Sequence, residues 1–257
     1  MYKRQVTAPS VLTNDVVTIS GLASGKNVGV YGSNLAAAGA DASNYNITYV
    51  NGNLTITPFI IGSGGSGGPS IAATANNKVY DTTTAATGSL AMANLFAGDT
   101  VAVNYANANF ATPNVANGLT VTFGGVTLSG PDAANYALGS SPITATANIT
   151  PAPLTISAGL TANNKVYSAT NAATIAVTGN QVLAGVLGTD AVSVSSAGPY
   201  TGATFSQSNV GSGLTVTPAT TSTVINGVSY NTMAGVTLTG AAAVSYTHLT
   251  LPTILRV

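Results

Sequence analysis

The sequence predicts an all-β protein built of tandem Ig-like β-sandwich repeats, the first and last copies incomplete, and three observations predict it. Apolar residues alternate with hydroxyl residues at a period of two. Long stretches recur along the chain. Only 5% of the 257 residues are charged, where an ordinary soluble domain carries roughly 25%, and Thr takes the place of charge on the outward faces while keeping β-propensity.

The alternation is clearest in Leu54-Thr55-Ile56-Thr57, Leu119-Thr120-Val121-Thr122-Phe123, Leu154-Thr155-Ile156-Ser157 and Val192-Ser193-Val194-Ser195. Each turns one face to a core and the other to water. Gly, Asn and Pro turns between such runs suit a sandwich. Ile225-Asn226-Gly227-Val228 is a two-residue hairpin signal within the insertion Pro218 to Met233. Helix is nearly absent, with Leu35 to Ala42 good for at most a turn or two before Gly39 weakens it.

The repeat is literal in places. Thr74-Ala75-Asn76-Asn77-Lys78-Val79-Tyr80 recurs as Thr161 to Tyr167, an offset of 87. Gly118-Leu119-Thr120-Val121-Thr122 matches Gly213 to Thr217, and Val126-Thr127-Leu128-Ser129-Gly130 matches Val236-Thr237-Leu238-Thr239-Gly240. Asp41-Ala42-Ser43-Asn44-Tyr45 corresponds to Asp132 to Tyr136, and Ile56-Thr57-Pro58 to Ile149-Thr150-Pro151. The organisation read from these is a C-terminal part of one repeat over 6–58, a flexible Gly/Ser linker over 59–70, a repeat over 71–151 and a truncated repeat over 152–243. Thr150-Pro151-Ala152-Pro153 reads as a short stiff junction between autonomous domains.

The ends read differently. Met1 to Gln5 and Val244 to Val257 correspond, one on each strand, to translations of a transposon adapter used in sequencing libraries, and are expected to be adapter-derived. Setting them aside leaves three Lys, six Asp, no Arg and no His, a net charge of 3 − 6 = −3. A basic patch for nucleic acid is excluded on those numbers, as are thiolate metal sites, cysteine nucleophiles and disulfides. A hydrolase triad lacks its base, since His248 lies in the adapter segment, and the six Asp are dispersed. The expectation is no enzyme, no cofactor and no membrane span.

Three candidate groups remain. Asp41 and Asp132, each just ahead of Asn-Tyr, could offer carboxylates to Ca²⁺, against the favoured reading of an Asx-turn starting the next strand. Lys78 and Lys165 could form isopeptide bonds to Asn, against the favoured reading of a snorkelling side chain that discourages edge pairing. Tyr80, Tyr136 and Tyr167 could present rings to sugars, against half-buried rings with hydroxyls tied to backbone.

Lys78, Tyr80 and Asp81; Asn27-Val28-Gly29, Asn114-Val115 and Asn209-Val210-Gly211; Leu128 to Tyr136; Ile149 to Ile156; and Asn44 to Pro58 together resemble the YDG and MBG-type repeats of filamentous-haemagglutinin-like bacterial adhesins. Tyr80-Asp81-Thr82 and Tyr167-Ser168-Ala169 depart from the name-giving triplet. The resemblance implies a non-enzymatic stalk or spacer of a secreted or outer-membrane-surface protein, exported by two-partner secretion and serving cell adhesion and biofilm formation. Its partners would be host or bacterial surface glycans or proteins met by other parts of the parent protein. The alternative is a module that itself binds a glycan or protein through exposed sandwich loops.

Overall fold

The computed structural model describes residues 14–62, 67–195, 198–225 and 228–250. Residues 1–5 and 251–257 of the adapter reading, 63–66 of the expected linker and the Asn226-Gly227 turn lie outside the described residues. All described elements are strands or single 3₁₀ turns. No helix is long and apolar enough to cross a membrane.

The N-terminal copy forms β1 (Thr18–Ser20), β2 (Gly29–Gly32), β3 (Ala36–Ala38), the turn η1 (Ala42–Asn44) and β4 (Asn53–Ile56). The first full copy forms β5 (Phe59–Ile61), β6 (Ser70–Ala75), β7 (Lys78–Val79), β8 (Gly88–Ala93), β9 (Ala102–Asn104), β10 (Asn107–Phe110), β11 (Ala116–Gly124), β12 (Thr127–Ser129), η2 (Ala133–Asn135), β13 (Tyr136–Leu138) and β14 (Ile143–Thr150). The second full copy forms β15 (Ala152–Ala162), β16 (Ala172–Ala184), β17 (Ser193–Val194), β18 (Tyr200–Phe205), β19 (Val216–Thr217), β20 (Thr220–Ile225), β21 (Val228–Met233), β22 (Leu238–Thr239), η3 (Ala243–Ser245) and β23 (Tyr246–Thr250).

Two compact units result, and they do not coincide with the copies. Of the described residues, those within 14–72, 91–104 and 127–141 form one, and those within 73–90, 105–126 and 142–250 form the other. In the first unit β1 pairs with β3, β2 with β4 and β9 with β12, all antiparallel, while β5 pairs in parallel with β13. Its core is Ile61, Val101 and Tyr136, with Phe59, Met92 and Leu128 packed against them. The expected helical turn over Leu35 to Ala42 is therefore corrected, because Ala36–Ala38 pairs with Thr18–Ser20 and only Ala42–Asn44 turns. The expected linker starts too early as well: Phe59–Ile61 is a strand, and the Gly/Ser run lies between it and β6.

The second unit holds the larger sheets β10-β11-β14-β7 and β19-β18-β16-β15-β23, the short pair β17-β22, and the hairpin β20-β21, whose Ile225↔Val228 register matches the sequence signal. β11 realises the alternation directly, with Val121 and Phe123 buried and Thr120 and Thr122 exposed. One apolar core runs through Phe110, Val121, Ile149, Leu154, Ile175 and Val216. Thr150-Pro151-Ala152-Pro153 is thus not an open joint between separate cores: Ile149 and Leu154 are each 0% exposed on either side of it.

One local device recurs. Gly39, Gly130 and Gly240 have φ of +125°, +111° and +111°, and a Cβ there would stand 2.1, 2.7 and 2.1 Å from the carbonyl oxygens of Val16, Thr100 and Ala191. Only glycine tolerates both the left-handed backbone and the close approach. Each glycine therefore seats its 3₁₀ turn against the residue just after Asp15, Asp99 or Asp190, where the chain leads into β1, β9 or β17.

Candidate functional site

The turns place a tyrosine opposite that aspartate in every copy. The Tyr45 hydroxyl donates to Asp15 Oδ2 at 2.6 Å, Tyr136 to Asp99 Oδ2 at 2.8 Å and Tyr246 to Asp190 Oδ2 at 2.7 Å. Around the Asp99 pair, Phe59 and Phe96 meet edge to face with centroids 5.4 Å apart, and Phe96 stacks on Tyr136 at 6.2 Å. The Asp99 side chain is 7% exposed, and its second oxygen faces Lys26 Nζ at 3.5 Å.

In the second unit the corresponding carboxylate takes its second contact from the preceding copy. The Tyr80 hydroxyl donates to Asp190 Oδ2 at 3.0 Å, and the Tyr80 ring meets Tyr246 edge to face at 5.6 Å. The Leu187 amide donates to the Tyr246 hydroxyl at 2.8 Å. One carboxylate thus accepts from two phenols supplied by consecutive copies, which ties the copies together in a place shielded from water. Burial raises the pKa of Tyr80 and Tyr136, and hydrogen bonds to Asp190 and Asp99 raise them further. Tyr246 is pushed up to about 12, chiefly by burial, with Asp190 adding to it against the Leu187 amide. A phenol held neutral beside a carboxylate is a good donor, so each tyrosine hydroxyl fastens its turn to the aspartate.

Asp41 and Asp132 do something other than expected. Asp41 Oδ2 accepts from the Val16 amide and Asp132 Oδ2 from the Thr100 amide, both at 2.8 Å. Neither side chain caps its own turn, so the local Asx-turn reading is corrected: each carboxylate binds a backbone amide 25 or 32 residues earlier, two residues ahead of β1 or β9. Among the described residues no three metal-ligating side chains of His, Cys, Asp or Glu converge.

The snorkelling reading of Lys78 is corrected too. Its side chain is 16% exposed, and Nζ donates to Asp81 Oδ1 at 2.6 Å, Thr83 O at 2.7 Å and Ala85 O at 3.0 Å while lying 5.6 Å over the Phe110 ring. With Thr83 Oγ1 at 3.2 Å as well, the three N–H groups of the ammonium are fully engaged. Burial works to raise the Asp81 carboxyl, but hydrogen bonds from Lys78 and Thr83 outweigh it and hold the pKa below the ordinary value. Lys165 repeats the arrangement with Thr170 O at 2.7 Å, Ala172 O at 3.1 Å and the Phe205 ring at 6.0 Å, and Ser168 stands where the carboxylate would be.

Of the tyrosines singled out, Tyr80 and Tyr136 are buried with hydroxyls on carboxylates, not on backbone as expected, and Tyr167 is 59% exposed. Sequence reasoning passed over Asp15, Asp99 and Asp190. Their signal was present as Asp-x-Val in each copy: Asp15-Val16-Val17, Asp99-Thr100-Val101 and Asp190-Ala191-Val192. Tyr246 and Ser245, inside the segment read as adapter-derived, stand in the second copy where Tyr136 and Asn135 stand in the first.

No curated protein and no solved structure matches the chain. The YDG domain model matches twice, over residues 69–145 and 150–253. The two matches cover most of the sequence and are the two full copies described above, so the chain belongs to the YDG domain family.

Proposed function

We propose that these repeats are a non-enzymatic stalk of a secreted or surface-exposed bacterial adhesin, spacing a distal binding region from the cell. The observation that carries this reading is the fastening of one copy to the next: Tyr80 of the first full copy sits against Asp190 and Tyr246 of the second, over a core that includes Ile149 and Leu154. A spacer transmits force only if neighbouring copies resist being pulled apart, and a buried polar clasp over a shared apolar core supplies that resistance. The membership in the YDG family and the resemblance to filamentous-haemagglutinin-like proteins support the surface location.

Stretching the full chain in a single-molecule force experiment tests the mechanical part. The two full copies are expected to yield together, and a Tyr80→Ala chain to yield in two separate steps at lower force. Separate yielding of the unsubstituted copies would sink it. Labelling of intact cells with an antibody raised against the repeats tests the location, and a signal seen only after lysis would place the protein elsewhere.

A further inference from the structure

The second full copy carries a segment that the first does without. Between Thr122 and Val126 the first copy has the three residues Phe123 to Gly125, whereas between their counterparts Thr217 and Val236 the second has eighteen, Pro218 to Gly235. These form the hairpin β20-β21, rooted by the buried Met233. The first copy completes its sheet with no such hairpin, so the repeat fold does not require it.

Past its root the hairpin stands in water. Thr220, Thr221, Ser222, Thr223 and Val224 are all exposed, so neither face of β20 is packed on a core. A lone two-stranded ribbon is marginal in water. Among the described residues β20 pairs with β21 alone, and it is β21 that lies against the last described strand, β23. The register is unbroken from Thr220↔Met233 to Ile225↔Val228. In a two-residue hairpin the closing pair exchanges backbone hydrogen bonds, and such pairs then alternate along the ladder. The Ala234 amide, donating to Ala219 O at 2.8 Å, keeps that alternation at the root. Thr220, Ser222 and Val224 therefore turn their N–H and C=O groups to the outer edge.

Nothing on that edge discourages pairing. Other outer edges are covered: the Phe110 amide donates to Thr84 O at 2.7 Å and the Ala86 amide to Ala108 O at 2.9 Å, and in the second copy the Phe205 amide donates to Asn171 O at 2.7 Å. β20 has no covering segment among the described residues, and no proline, bulge or charge, the devices that blunt an edge. No Asp, Glu, Lys or Arg stands anywhere from Ala191 to Thr250, so a second copy of this surface meets no like charge.

We propose that the β20 edge is a self-association site, and that its occupant is β20 of a second copy of this chain. The two edges pair antiparallel about a twofold axis through Ser222, which sets Ser222 opposite Ser222 and Thr220 opposite Val224, each pair exchanging backbone hydrogen bonds. On the other face Thr221 meets Thr223, a hydroxyl pair of the kind that Thr221 and Thr232 already form within the hairpin at 3.3 Å. Because β21 occupies the inner edge of each β20, the assembly closes as a dimer. So small a contact is weak and reversible. It does not rest on the stalk reading, whose failure shows as separate yielding of the copies under force.

Sedimentation of the full chain over a concentration series tests the proposal. A reversible monomer–dimer equilibrium is expected, with a dissociation constant between micromolar and millimolar. Ser222→Pro deletes an outward N–H that the hairpin does not use, and Ser222→Lys sets like charges face to face on the axis. Each should weaken the dimer at least about tenfold, the Lys variant recovering at high salt. Ser229→Lys, exposed on β21, should leave it unchanged. The chain has no cysteine, so Ser222→Cys offers a readout that survives misfolding of the Pro variant. Its paired Cα atoms would stand about 5.5 Å apart, within disulfide reach. Mild oxidation should cross-link it at least about tenfold faster than Ser229→Cys. Monomer up to millimolar chain, undiminished association of Ser222→Lys, equal cross-linking at 222 and 229, or open-ended aggregation in place of a dimer would overturn the proposal.

Discussion

The seven residues Thr-Ala-Asn-Asn-Lys-Val-Tyr stand at 74–80 and again at 161–167, and they take two forms. In the first copy Lys78–Val79 is a strand paired with Ile149–Thr150, and Tyr80 is 8% exposed against Asp190. In the second copy residues 165–166 form no strand, and Tyr167 is 59% exposed. Identical local propensity cannot explain opposite outcomes. The difference lies in what stands beside the segment: β14 on its edge in the first copy, and an aspartate of the following copy over its tyrosine. Strand propensity here is a fit to neighbours more than a property of the seven residues.

If β14 decides the comparison, weakening it should make the first copy resemble the second. Ile149 is 0% exposed between β7 and β11, and Ile149→Ala should cost about 2–5 kcal/mol in chemical denaturation of the full chain. Amide exchange at residues 77–80 should rise towards that of residues 164–167. Leu214→Ala, at a half-buried position in the second copy, should cost much less. Equal costs would mean that β14 is not what sets the two copies apart.

The lysines sharpen the contrast by one carboxylate. Lys78→Met leaves Asp81 Oδ1 and the carbonyls of Thr83 and Ala85 without their donor, a loss of about 1–3 kcal/mol. Lys165→Met removes contacts to carbonyls at an exposed position with no carboxylate, and the loss should be smaller. The difference should itself shrink as pH falls. Asp81 has a folded pKa below its unfolded one, so its contribution is present above the unfolded value and is lost as pH drops through the folded value. Denaturation midpoints of the two variants at neutral and acid pH check both statements.

Alkali probes the clasps in the opposite direction. Tyr80, Tyr136 and Tyr246 have pKa values raised in the folded chain, Tyr246 to about 12. The unfolded phenol ionises near about 10, so above that pH the unfolded state releases protons that the folded state keeps. Stability is whole below the unfolded value and declines as pH climbs through the folded ones. Phenolate absorbance recorded with near-ultraviolet dichroism should show a group of tyrosines that ionise only as tertiary signal is lost. Ionisation of every tyrosine in an intact fold would remove the buried clasps from the account.

Much of the architecture was legible because it is local. Alternation in Leu119 to Phe123 named both the strand and its buried face, and Ile225-Asn226-Gly227-Val228 named a hairpin and its register. What stayed hidden depends on partners far along the chain. Asp132 looked like a local turn residue, yet its carboxylate holds the Thr100 amide, and Tyr80 reaches Asp190 across 110 residues. Composition also misplaced a boundary, since the glycine-rich run announced a linker while Phe59–Ile61 beside it pairs with Tyr136–Leu138. Offsets carry that information: Ile56 and Ile149 are 93 apart but Asn76 and Asn163 only 87, so the glycine-rich region is six residues longer in the first copy, where β15 runs unbroken in the second.

The finest version of the comparison removes one oxygen from each tyrosine. Tyr80→Phe keeps the ring against Tyr246 and deletes the hydrogen bond to Asp190. Asp190 Oδ2 still accepts from Tyr246, so no buried charge is stranded and the loss should stay at about 1.5 kcal/mol, the lower end of the range for a bond to a charged group. Tyr167→Phe, at an exposed ring, should fall within about 0.5 kcal/mol of no change. A double-mutant cycle of Tyr80→Phe with Asp190→Asn isolates the coupling between consecutive copies. Coupling near zero, or a Tyr167→Phe loss as large as that of Tyr80→Phe, would mean that the copies are joined by their shared apolar core alone and that the phenol only fills space.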